Sequence, residues 1–137
     1  CVCPKAKARG TQTMSIHSIN RVQLAFPKGG HDAVRRFYGA LVGLTELKYP
    51  VDDALHFVAG SQRVDLVPTD PWLPPSAVSV LAFEVQNLPR LRHQLLSANV
   101  PLEEQNPLPG YLRFYAQDPA GNRLEFLEPD PHSTHSV

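Results

Sequence analysis

Apolar and polar residues alternate over residues 19–27, "INRVQLAFP". Val22, Leu24 and Phe26 fall on one side, and Arg21, Gln23 and Ala25 on the other. A period of two predicts a half-buried strand. In "KGGHDAVRRFYGALVGL" glycines break that strand, and the apolar period lengthens to that of a helix at Val34, Phe37, Tyr38 and Leu41. Gly43 suits the position that ends a helix. Three short strand candidates follow: "TELKYP", "ALHFVAG" and "QRVDLVP". Residues 16–67 thus read strand, helix, strand, strand, strand.

Residues 68–77, "PTDPWLPPSA", are crowded with proline and read as a linker, with Trp72 as an anchor onto the body. The pattern then restarts. "VSVLAFEV" alternates, with Leu81, Phe83 and Val85 opposite Val78, Val80, Ala82 and Glu84. "NLPRLRHQLLSANV" predicts a helix with Asn87 as its cap, Pro89 in its first turn and Leu88, Leu91 and Leu95 as its apolar stripe. "VPLEE" is a short strand. "YLRFYAQ" and "NRLEFLE" form a hairpin across "DPAG", where Asp118, Pro119 and Gly121 are turn residues.

A βαβββ unit therefore occurs twice, over 16–67 and 78–129, at an offset of about 60 positions. Arg21 and Val80 share the slot in the opening strand, and Asp65 and Glu125 share it in the closing strand. Each sheet has one apolar face for its helix. The opposite face carries Arg, Gln, Asp and Glu. The fold class expected is α+β: two tandem modules whose curved mixed sheets form a ligand trough, with one helix on the outer face of each.

Length and composition fit one domain. The 137 residues carry 13 basic and 13 acidic side chains, so the formal charge is zero. There is no basic stripe for nucleic acid, no apolar run long enough to span a membrane and no signal-peptide core. The expectation is a soluble, cytoplasmic protein. Cys1 and Cys3 lie in a polar N-terminal stretch before Met14. Residues 1–15 and 130–137 read as tails, with His132 and His135 solvent-exposed.

"VQLAFPKGGHDAVRRFYGALVGLTEL" and "RFYAQDPAGNRLEFLEP" resemble the opening strand with its helix end, and the closing hairpin, of the vicinal oxygen chelate superfamily. That superfamily includes glyoxalases, bleomycin-resistance proteins and extradiol dioxygenases. The resemblance covers about residues 16–129 and is specific for fold rather than reaction. It implies four metal-ligand positions in the trough, which fall on Arg21, Asp65, Val80 and Glu125; a register slip of two at Asp65 is the alternative.

Arginine has no lone pair to donate to a metal, and valine coordinates nothing. The expectation is no metal cofactor, and a salt-bridge cluster in which Arg21 balances Glu125, with Asp65 as a further partner. Candidate ligand-binding residues are Arg21, Gln23, Asp65, Val80, Glu84, Arg123 and Glu125. For Arg21 the alternatives are internal charge balance and docking of an anionic ligand. Glu84 also reads as a solvated strand end, and Asp65 as a polar strand end. Arg113 and Tyr115 have no assigned face. His56 reads as a structural or exposed histidine, and His17, His31 and His93 as surface residues.

Three functions remain open. The first is a binding or sequestering protein of the bleomycin-resistance type, holding a small amphipathic organic molecule, anionic or neutral, between apolar walls and a few polar anchors. The second is a metal-dependent glyoxalase-type lyase, isomerase or dioxygenase, with a divalent ion on Glu125, Asp65 and a residue such as His56. The third is a metal-free enzyme with Glu125 as catalytic base and Arg21 stabilising an oxyanion. The resemblance also implies a homodimer.

Overall fold

The computed structural model describes residues 15–49, 52–104 and 108–132. Most of the two expected tails, including Cys1, Cys3 and His135, lies outside these residues, as does the middle of the 104–110 loop.

The first module runs β1 (Arg21–Pro27), α1 (His31–Arg35), β2 (Thr45–Leu47), β3 (Leu55–Ala59) and β4 (Gln62–Thr69). Its sheet has the order β1-β4-β3-β2. The second module runs β5 (Val80–Glu84), α2 (Leu88–Ser97), β6 (Leu102–Glu103), β7 (Tyr111–Gln117) and β8 (Arg123–Pro129), with the order β5-β8-β7-β6. In both, the opening and closing strands pair in parallel and the rest antiparallel. The repeat holds rung by rung. Arg21 faces Arg63 and Gln23 faces Asp65 in one sheet; Val80 faces Arg123 and Ala82 faces Glu125 in the other.

α1 continues as a π-helical turn over Arg36–Leu41. There Val42 N–H donates to Phe37 C=O at 2.9 Å. The wider turn lets the consecutive residues Phe37 and Tyr38 both enter the core. Gly43 follows at φ +93°, as its helix-ending role requires.

α2 is capped as its sequence predicts. Asn87 Oδ1 accepts from Arg90 N–H at 3.3 Å. Glu128, from β8, accepts from Asn87 N–H at 2.7 Å and Leu88 N–H at 2.8 Å. A carboxylate there also meets the positive end of the helix dipole. Leu88, Leu91 and Leu95 are buried.

The expected linker starts later than its proline content suggests, because β4 runs through Pro68 to Thr69. β3 begins at Leu55, opposite Leu66. Beyond that rung β4 has one neighbour, β1, so Pro68 withholds no N–H that a second strand needs. Trp72 is half-buried.

The helix faces of both sheets share one core of Phe26, Val34, Phe37, Tyr38, Phe57, Leu66, Phe83, Leu95, Phe114, Leu124 and Phe126 with their neighbours. Each fully buried large apolar side chain contributes about 1.5–3 kcal/mol. A polar joint at the edge of this core ties the modules together. Tyr38 Oη donates to Asp118 Oδ2 at 2.6 Å, and Asn122 Nδ2 donates to Ala25 C=O at 3.0 Å. Asp118 Oδ1 also accepts from the N–H groups of Ala120 and Asn122 at 2.9 and 2.8 Å. The turn aspartate predicted from "DPAG" is thus a buried anchor as well.

Candidate functional site

Strand alternation puts Arg21 and Gln23 of β1, His56 of β3, and Arg63 and Asp65 of β4 on the face turned away from α1. Their counterparts in sheet two are Val80 and Ala82 of β5, Tyr115 of β7, and Arg123 and Glu125 of β8. Arg113 of β7 shares that face. These are the two mixed surfaces expected to line a trough.

Asp65 is the centre of the first surface. It is only 1% exposed. Arg63 grips it with two N–H donors, Nε to Oδ1 at 3.1 Å and Nη2 to Oδ2 at 2.9 Å. Arg21 Nη1 donates to Oδ2 at 2.8 Å, and His56 Nδ1 lies 2.9 Å from Oδ1. Burial alone would raise the carboxyl's pKa, but hydrogen bonds from Arg63, His56 and Arg21 outweigh it and hold Asp65 well below the usual carboxylate range.

His56 Nε2 faces the Asp52 carboxylate at 3.2 Å. Burial disfavours the imidazolium, yet the hydrogen bonds to Asp65 and Asp52 prevail and raise its pKa above the ordinary histidine value. Tyr49 closes the cluster, with its ring edge-on to His56 and the Arg63 guanidinium over its face. His56 therefore takes the structural role rather than the exposed one. His31, expected at the surface, is half-buried and hydrogen-bonded to Asp53 C=O at 2.9 Å.

Glu125 has different partners from those expected. Arg21 turns to Asp65 on its own sheet, and Glu125 Oε2 accepts from Arg113 Nη1 at 3.1 Å. The expected Arg21–Glu125 pair is absent among the described residues. Arg113 lies two rungs from Glu125 across the β7–β8 hairpin, closer than a side chain on the other module. Tyr115 stands directly opposite Glu125. The Arg123 guanidinium lies 4.2 Å from the Tyr115 ring centroid and donates to Glu103 at 3.2 Å.

The candidate residues thus fall into separate groups. Arg21, Gln23 and Asp65 come together, with Arg21 Nη1 3.4 Å from Gln23 Oε1. Gln23, Val80 and Arg123 line a groove of about 260 Å³ where the modules meet. Glu125 sits with Arg113 and Tyr115. Glu84 is exposed and borders a groove of about 800 Å³ with Gln86, Glu128 and Asp130. Arg63 escaped sequence reading, although its spacing of two from Asp65 puts both side chains on one face.

The four positions that the resemblance assigns to a metal do not suit a divalent ion. Arg21 brings a guanidinium to within 2.8 Å of the Asp65 carboxylate, and Val80 offers only carbon. The remaining donors, Asp65 and Glu125, are each held by arginine.

No protein-family model and no curated protein sequence matches the chain. Solved structures do. A protein from Bacillus anthracis described as of the glyoxalase family is 28% identical, with a TM-score of 0.79 over 87% of this chain and 100% of that one. TnmS3, an antibiotic binding protein from Streptomyces sp. CB03234, is 20% identical, with a TM-score of 0.69 over 86% and 100%. The fosfomycin resistance protein FosX from Listeria monocytogenes is 13% identical, with a TM-score of 0.72 over 85% and 94%. No helix among the described residues is long and apolar enough to cross a membrane. With two βαβββ modules registered rung for rung and these structural counterparts, the chain has the fold of the vicinal oxygen chelate superfamily.

Proposed function

We propose that the protein binds a small organic molecule in a trough formed by its two mixed sheet faces, without a metal ion. One observation carries this reading: Arg21 and Val80 stand where the resemblance calls for two metal ligands, and the Arg21 guanidinium is 2.8 Å from a third position, Asp65. A cation fixed there repels a divalent ion. The faces combine charged groups with the apolar Ala25, Val58, Val67, Val80 and Leu127, a mixture suited to an amphipathic ligand.

The working form is proposed to be a homodimer in which the second copy covers these faces. Arg21, Gln23, Val80, Ala82 and Glu84 are exposed in the single chain, which is consistent with a trough completed by another subunit.

Elemental analysis tests the metal-free reading. After loading with Zn²⁺, Ni²⁺, Mn²⁺ or Fe²⁺ and removal of excess, the expected content is near zero for each. About one tightly held ion per chain overturns it. Sedimentation velocity tests the dimer, and a monomer at all concentrations rejects it.

A further inference from the structure

We infer that Arg21 and Arg63 form a fork that receives one oxyanion, a carboxylate or phosphate, of the molecule in the trough; this rests on the binding function proposed above. The argument begins with charge. Arg63 alone satisfies both oxygens of Asp65 through Nε and Nη2, and His56 adds a further contact to Oδ1. Arg21 is surplus to the neutralisation of this one carboxylate. His56 in turn has its own second carboxylate, Asp52, at 3.2 Å.

Module two supplies an internal control. At the rung of Arg21 it has Val80, and each of its two arginines on this face has a carboxylate of its own: Arg113 with Glu125, and Arg123 with Glu103. Of these two faces, the one in module one puts two guanidiniums on a single carboxylate.

Geometry adds to charge. A guanidinium carries five N–H donors in a plane. Arg21 commits Nη1 to Asp65 and Gln23, and its Nε and Nη2 have no hydrogen-bond partner among the described residues. Its side chain is 46% exposed and that of Arg63 32%. Asp65, buried beneath both, fixes them without competing for their outer edges. Pre-fixed guanidinium donors lose little rotamer freedom on binding and match the two oxygens of a carboxylate or phosphate. Val58 and Val67 lie on the same face beside the fork, available to an apolar ligand body.

The test is an NMR titration of the full-length protein at low ionic strength with benzoate, phenyl phosphate and phenol. These probes share a ring and differ in the charged group. Saturable shifts are expected at β1 and β4 amides with at least one anion, at an affinity about tenfold or more above phenol. Benzoate winning indicates a carboxylate ligand, and phenyl phosphate winning a phosphate; both outcomes support the fork. Arg21→Gln should weaken the anion about tenfold and leave phenol unchanged. Arg21→Lys should restore part of the loss. Arg92→Gln, which breaks the ion pair with Glu104 away from this face, should change nothing. Anions bound no better than phenol, no saturable anion binding, or indifference to Arg21→Gln in a folded variant would each overturn the fork. Phenol binding that survives those results leaves the metal-free binding trough standing. Metal uptake in the elemental analysis instead removes the binding reading beneath it.

Discussion

Asp65 and Glu125 stand on the same rung of their two sheets but are neutralised by different arginines. Asp65 lies opposite Gln23 and His56, and Glu125 opposite Ala82 and Tyr115. Asp65 is gripped by Arg63, Arg21 and His56, whereas Glu125 has Arg113 at 3.1 Å. The Arg21 slot holds Val80, the His56 slot holds Tyr115, and Arg123, in the slot of Arg63, turns to the Tyr115 ring and Glu103 instead of Glu125. One duplicated framework thus presents two guanidiniums on one buried carboxylate on one side and arginines paired with separate carboxylates around Tyr115 on the other.

This contrast predicts unequal costs of neutralisation. Asp65→Asn leaves two guanidiniums and an imidazole around an amide that can accept on one oxygen only. The expected loss of stability is about 3–5 kcal/mol, the range for removing one partner of a buried ion pair. Glu125→Gln disturbs a smaller network and should cost about 1 kcal/mol. Urea unfolding of both variants measures the difference, and equal losses contradict the assignment of Asp65 as the hub.

The same cluster sets a pH dependence. The folded pKa of His56 is raised above its ordinary value of 6.5. Its contribution to stability is therefore complete below about pH 6.5 and is lost as pH rises through the folded value. Asp65 behaves oppositely. Its folded pKa is depressed below the ordinary 3.8, so its contribution is present above that value and is lost on acidification below it. His56→Asn places an amide donor near the position of Nδ1 without a titrating group. Stability of the wild type should decline from slightly acid to alkaline pH, and the variant should lose that slope. A variant with an unchanged slope would place the titration elsewhere.

Much of the fold was legible in the sequence because both periodicities are clean. The alternation of Val22, Leu24 and Phe26, and the Leu88–Leu91–Leu95 stripe, each specify which face is buried. The site was legible only by face. Alternation assigns Arg21, Asp65 and Glu125 to the mixed surfaces, but partner choice depends on distances across strands and modules. Arg21 joined Asp65 on a neighbouring strand because both belong to one sheet, and Glu125 took an arginine from its own hairpin. Asp118 shows the same limit. Its turn chemistry was readable, whereas its partner Tyr38 lies 80 positions away and reaches it through a π-helical turn that no local pattern announces.

The joint between the modules gives the last prediction. Tyr38→Phe removes one donor from the buried Asp118 carboxylate and leaves Asn122 Nδ2 at 2.9 Å from Oδ2. Such a loss costs about 1–2 kcal/mol. Asn122→Ala removes that remaining side-chain donor and the bond to Ala25 C=O. Because both donors serve the same oxygen, each supports the carboxylate when the other is gone. The double variant should therefore lose more than the sum of the single losses, with a coupling of about 0.5–3 kcal/mol in a double-mutant cycle. Strict additivity would mean that Asp118 is rehydrated once either donor leaves, and that the turn rather than the carboxylate holds the two modules together.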